Sequence, residues 1–216
     1  MSSSNLVRSG GPAAVLGGAL FVAVFALTIM IYGLKVVGGV ILESHAFIHM
    51  LDAPMYALLA VGVLGLYLRQ IDRFGWLGKT GSYLTFGGFA LATLGGLGII
   101  VVGLSVGEEA TLGVLDAVAH PLSTLIYVVG SVLFGIATFR ERILPRWGAL
   151  LLVIGAPLWF VGPAFFFGAL IDGSEDWLLA VPAMVPAVLF GGGWAWLGYA
   201  LWSERDLPAQ QPQRVS

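Results

Sequence analysis

The chain has no cysteine, which excludes disulfides, thiolate zinc sites, Fe–S clusters, covalently attached c-type haem and palmitoyl anchors. It is also poor in charge: Lys, Arg, Asp and Glu make up 10% of the 216 residues, against about 25% in a soluble domain. So few charges cannot cover a water-facing surface of this size, which rules out a water-soluble enzyme, a disordered tail and a nucleic-acid binder. What the sequence has instead is apolar bulk, 58% of all residues, with a mean hydropathy of +0.95. The solvent that suits this composition is a lipid bilayer, and the bilayer is the partner it implies.

A bilayer core of roughly 30 Å takes about 20 apolar helical residues. Six stretches meet that length: Gly11–Leu34, His45–Leu68, Thr80–Leu104, Ala117–Phe139, Trp147–Ile171 and Trp177–Trp202. They are continuously apolar and lack the period-two alternation of a barrel strand, so the sequence predicts an all-α integral membrane protein with six transmembrane helices. The first stretch has 24 residues, longer than the apolar part of a signal peptide (about 7–15 residues) and without a small-residue cleavage site, so it reads as a retained helix. Residues 1–10 form a short leading segment, 11–202 the membrane domain, and 203–216 a polar tail with Pro208 and no apolar periodicity.

The basic residues sort to one side. Arg8, Arg69, Arg73, Lys79, Arg140, Arg142, Arg146, Arg205 and Arg214 lie at or between the ends that face one way, and of the ten Lys and Arg only Lys35 falls on the other. That other side carries Glu43, Asp52, Glu108, Glu109, Asp116, Asp172, Glu175 and Asp176. Positive residues stay in the cytoplasm, so both termini are expected there, in a multi-pass protein of the cell membrane. Glu108-Glu109 reads as an outer loop, and Lys35 as a side chain snorkelling outward from the first helix.

Shifting the chain by 71 residues lays Arg8–Arg69 on Lys79–Arg140 with 11 identities in 62 positions, about twice the number that chance gives in so biased a composition. The match sets His49 on His120, Tyr56 on Tyr127 and Arg69 on Arg140. A third copy is sketched by Arg146-Trp-Gly148 against Lys79-Thr-Gly81. The expectation is a tandem of two-helix hairpins in parallel relation.

The candidate chemistry sits at the outer ends of the second and fourth helices. His45, His49, Asp52 and Tyr56 fall at i, i+4, i+7 and i+11, within an arc of about 60° on one helix face. Asp116, His120, Ser123 and Tyr127 form the corresponding stripe on the fourth helix. Ionisable groups at membrane depth are costly and usually face a bundle interior or cavity.

Three readings follow. His45, His49, Asp52, Asp116 and His120 are a ligand set for zinc or manganese, and His49 with His120 alternatively ligate a b-type haem. The stripes otherwise line a polar vestibule in a transport, sensing or accessory protein without chemistry. Ser44 and Ser123 beside the histidines admit a membrane metallohydrolase. Elsewhere, Gly88, Ala92 and Gly96 place small residues down one face of the third helix, which favours close packing. Pro157, Pro163, Pro182 and Pro186 predict irregular fifth and sixth helices. Trp159 and the run Phe165–Phe167 read as lipid-facing or core bulk.

Overall fold

The computed structural model describes the backbone of residues 3–38, 45–106, 108–171 and 180–203, and the side chains of residues 5–30, 50–101, 118–162 and 184–203. The described residues form six helices: α1 (Ser3–Gly38), α2 (His45–Gln70), α3 (Trp76–Val106), α4 (Glu108–Glu141), α5 (Arg146–Ile171) and α6 (Ala180–Ser203). Five stretches within them are long and apolar enough to cross a membrane, namely Asn5–Met30, Met50–Gln70, Trp76–Val101, Val118–Glu141 and Met184–Ser203. The described apolar part of α5 is shorter, Arg146–Gly162. Helix is the answer these runs require, because lipid offers no partner to a bare N–H or C=O and a helix satisfies both within the segment.

The ends differ from the expected ones by up to about two and a half turns. α4 starts at Glu108, so Glu108 and Glu109 occupy its first turn and not a loop; acidic residues suit that position because the helix dipole is positive there. The helices of the α5–α6 pair run on through Pro157 and Pro186 without a break.

Each helix packs on its neighbours in the chain, and α1 closes on α6, so the six stand in a ring. The first helices of the three antiparallel hairpins make their close approaches at the same spacing of four and three residues. In α1, Gly10, Ala14 and Gly17 meet Gly65, Gly62 and Leu59 of α2; in α3, Gly81, Thr85 and Gly88 meet Phe134, Gly130 and Tyr127 of α4; in α5, Gly148, Leu152 and Gly155 meet Leu197, Gly193 and Phe190 of α6. A Cβ on Gly10 would stand 2.5 Å from the Gly65 Cα, and one on Gly88 2.5 Å from the Tyr127 nitrogen. Such backbone-to-backbone contact is what glycine permits, and in lipid it matters more than in water because dispersion replaces the hydrophobic effect as the force between helices. The first helices of the first two hairpins keep the 71-residue shift, but in the second helices Tyr127 takes the place of Leu59, a shift of 68. The expected equivalence of Tyr56 and Tyr127 is therefore off by nearly one turn. A gapless alignment forces equal connections, whereas six residues separate α1 from α2 and one separates α3 from α4.

Close backbones leave the ring's centre to large rings. Phe21, Tyr56, Phe89, Tyr127, Trp159 and Phe190 are all buried and come one from each helix, with Trp194 added from α6. Phe21 lies 4.6 Å from Trp159 and 5.0 Å from Phe190, Phe89 lies 5.0 Å from Tyr127, and Tyr56 lies 5.8 Å from Tyr127, all between centroids. Trp159 thus belongs to the core and not the lipid face; the side chains of Phe165–Phe167 lie outside the described residues. The outer surface is apolar in turn, with Leu16, Leu94, Val101, Leu125, Val129, Leu158 and Val188 exposed, as a lipid-embedded protein requires.

The described basic residues Arg8, Arg69, Arg73, Lys79, Arg140, Arg142 and Arg146 all fall at one end of the ring, as the helix directions dictate. Trp76 and Trp147 stand 76% and 69% exposed at the same end, where an indole with one wet and one apolar edge is at home. Gln70 closes α2 there, its carbonyl accepting the Arg73 and Phe74 amides at 2.9 and 3.0 Å. Arg142 caps α4 with φ 57°, in the left-handed region, and donates its amide to Thr138.

Candidate functional site

Away from the basic end, α2, α3 and α4 diverge around a cleft. α3 contributes almost no bulk there: Ala92, Gly95 and Gly96 form one wall, with Leu91 and Ile99 beside them. A Cβ on Gly95 would meet only Ala119, at 3.8 Å. The stripe of small residues thus does two things. At Gly88 it presses α3 against Tyr127, and one turn further it opens space.

Into that space come Asp52 and Tyr56 from α2 and Ala119, His120 and Ser123 from α4. The enclosed room is about 10 Å³, about what one water molecule needs, at the base of an open hollow of about 300 Å³. Asp52 is half-buried, His120 exposed at the rim, and Tyr56 and Ser123 buried. The two stripes read from the sequence therefore meet across one cleft through Asp52 and His120. His45, His49 and Asp116 have side chains outside the described residues. Among the described residues no three His, Asp or Glu side chains gather closely enough to hold a metal ion.

Ser123 is already engaged. Its hydroxyl donates to the His120 carbonyl at 2.9 Å, three residues back in the same helix. Such a bond fastens the hydroxyl to its own backbone and gives no reason to see a nucleophile. Below the cleft, the Tyr127 hydroxyl accepts the Trp159 indole N–H at 2.8 Å, and Tyr56 hydrogen-bonds Tyr127. A polar thread thus runs from the cleft floor into the aromatic core.

Two features of the site escape the sequence stripes. Pro54 lies inside α2 and Pro121 inside α4, each within two residues of Asp52 or His120. A proline has no N–H to give the carbonyl four residues earlier, so the carbonyls of Met50 and Ala117 lack their usual helical donor, both within a turn of the cleft. The signal was in the sequence, as a proline just after each candidate ligand. Gly95 is the second, legible only as one more glycine in a chain of 31.

Comparison with protein families, with curated proteins and with solved structures finds no match to this chain.

Proposed function

We propose that the chain is a six-span membrane protein of three repeated hairpins, with both termini and the basic connections in the cytoplasm, that binds one divalent metal ion at the outer ends of α2 and α4. The observation that carries the metal reading is the cleft lined by both Asp52 and His120, two ligand types on separate helices brought to one space. Helical spacing sets His49 three residues before Asp52 and Asp116 four before His120, one turn outward on the same faces, and His45 a turn beyond. Without cysteine, the donor set of imidazole and carboxylate suits zinc or manganese. The proline-freed carbonyls of Met50 and Ala117 add oxygen donors or hold bound water. The room between the helices favours an ion with its water over a porphyrin ring, so b-type haem is the weaker version of this reading. The repeat is supported by the shared spacing at the three hairpin seams.

Purified protein stripped with chelator and titrated with zinc or manganese should bind about one equivalent. Replacing Asp52 by Asn and His120 by Ala together should weaken binding at least 10- to 100-fold, the scale of losing even supporting groups at a metal site. Binding unaffected by that double change, or no binding below millimolar metal, would remove the metal reading and leave the alternative of a transport, sensing or accessory protein.

Orientation has its own test, made clean by the missing cysteines. Single variants Ser2→Cys and Gln213→Cys should resist an impermeant maleimide in intact cells and react after lysis. Labelling of either in intact cells would reverse the orientation.

A further inference from the structure

Most buried hydroxyls in this bundle are spoken for by their own helix. Thr28, Ser82, Thr85, Thr93 and Ser131 each donate to the carbonyl four residues earlier, at 2.6–2.9 Å. Four buried polar atoms depart from that pattern: Gln70 Oε1, Thr124 Oγ1, Thr138 Oγ1 and Trp194 Nε1 have no hydrogen-bond partner among the described residues. The side chains of Gln70, Thr138 and Trp194 are each 0% exposed. An unpaired polar atom buried this deeply costs free energy, and native proteins usually answer it with an ordered water or a partner.

These atoms are not scattered. His120, Thr124, Tyr127, Ser131 and Thr138 stand on α4 at spacings of 4, 3, 4 and 7 residues, which at 100° per residue confines them to an arc of about 60°. The stripe runs inward from the cleft, where His120 is exposed, and its hydroxyls are otherwise buried. Its one long step, from Ser131 to Thr138, is about 10 Å of axial rise. Trp194 fills that step: its ring stacks on Phe134 at 5.5 Å, midway between the two. Every remaining step is then about 4.5–6 Å of axial rise, within the range that bridging water serves. At the basic end Thr138 is one turn from exposed Arg142, and Gln70 is followed at once by exposed residues. Both ends of the stripe therefore reach water.

We propose that the inner face of α4 is a proton path across the membrane, joining the Asp52–His120 cleft to the basic end at Thr138 and Gln70. A proton enters from water in the cleft, passes by exchange of hydrogen bonds through the hydroxyls of Thr124, Tyr127 and Ser131 and the waters between them, and leaves to solvent beside Thr138. Each hydroxyl accepts one proton as it releases another, so nothing is oxidised or reduced. Trp194 only donates; it holds a water in line and does not relay. Rings packed around the stripe, Phe89 and Phe134 against Trp194, suit a path for protons better than one for hydrated ions. The proposal does not need a bound metal.

The test is proton flux into liposomes holding the purified full chain and a pH-reporting dye, driven by a valinomycin-set potassium potential with chelator present. The chelator keeps this result independent of metal binding. Uptake should run several-fold faster than in protein-free liposomes, fall to near that baseline in Thr138→Val, which keeps shape and removes an unpartnered hydroxyl, and fall likewise in Tyr127→Phe. Thr93→Val, whose hydroxyl bonds Phe89 in α3 off the stripe, should leave flux unchanged. Wild-type flux equal to that of empty liposomes would overturn the proposal, as would flux that Thr138→Val leaves intact. Each variant's elution as a single species with native tryptophan fluorescence is the condition for reading it.

Discussion

Gly130→Leu should part α3 from α4 and unfold the bundle at a markedly lower temperature than the parent. A Cβ at Gly130 would fall against the Thr85 amide and stand 2.6 Å from its Oγ1 and 2.8 Å from the Leu84 carbonyl carbon. Those are mostly backbone atoms of a helix and cannot swing aside. The whole α3–α4 seam repeats the condition, since Gly81 would strike Phe134 and Gly88 would strike Tyr127. Leucine favours the helix over glycine by about 0.8–1 kcal/mol, but overpacking typically costs about 1–3 kcal/mol and more where backbone must move. The clash wins. Lipid offers the separated helices no penalty of the kind water would, so the loss is not recovered by hydrophobic collapse. Melting in detergent, followed by the fluorescence of the seven tryptophans, should drop by several degrees or more. Gly87→Leu is the control, because a Cβ there meets nothing within 4 Å; it should be neutral or slightly stabilising. Equal melting of both variants would show that the seam is looser than described.

Phe21→Ala should destabilise by about 2 kcal/mol or more. Phe21 is 2% exposed and packs its ring against Tyr56, Trp159 and Phe190 from three other helices. In a soluble core such a truncation costs about 3–5 kcal/mol, part of it the transfer of apolar surface to water. Here the separated helix rests in lipid and that part is small. What remains is the cavity: about 100 Å³ at roughly 24 cal/mol per Å³ gives about 2.4 kcal/mol. The exposed Leu16 of the same helix supplies the comparison, and Leu16→Ala should change stability by less than about 0.5 kcal/mol. A Phe21 variant as stable as the Leu16 variant would mean that the rings do not hold the ring of helices together.

The fold class was legible because lipid is an undemanding reader: continuous apolar length and the sorting of Arg and Lys suffice to place helices. The helix ends were less so. Glu108 and Glu109 looked like loop because they are charged, yet a helix running past the lipid boundary keeps its backbone bonds in water as well, and nothing in the residues marks where lipid stops. The seam spacing at Gly10, Ala14 and Gly17 was present in the letters but hidden among so many glycines, and the three-residue slip between Tyr56 and Tyr127 depended on connection lengths that an ungapped shift assumes equal.

The candidate site divides the same way. The sequence by itself determined that Asp52 and His120 each lie on a polar face near one end of a helix, since that follows from 100° per residue and the cost of charge in lipid. Whether the two faces meet was a matter for the tertiary structure alone. They do because Gly88 lets α3 lie hard against α4 while Gly95 and Gly96 leave room about two turns beyond, and no local rule reports which neighbour a glycine will admit. The burial of Thr138, Trp194 and Gln70 was equally invisible, for a helix period tells which residues share a side and not what stands opposite them.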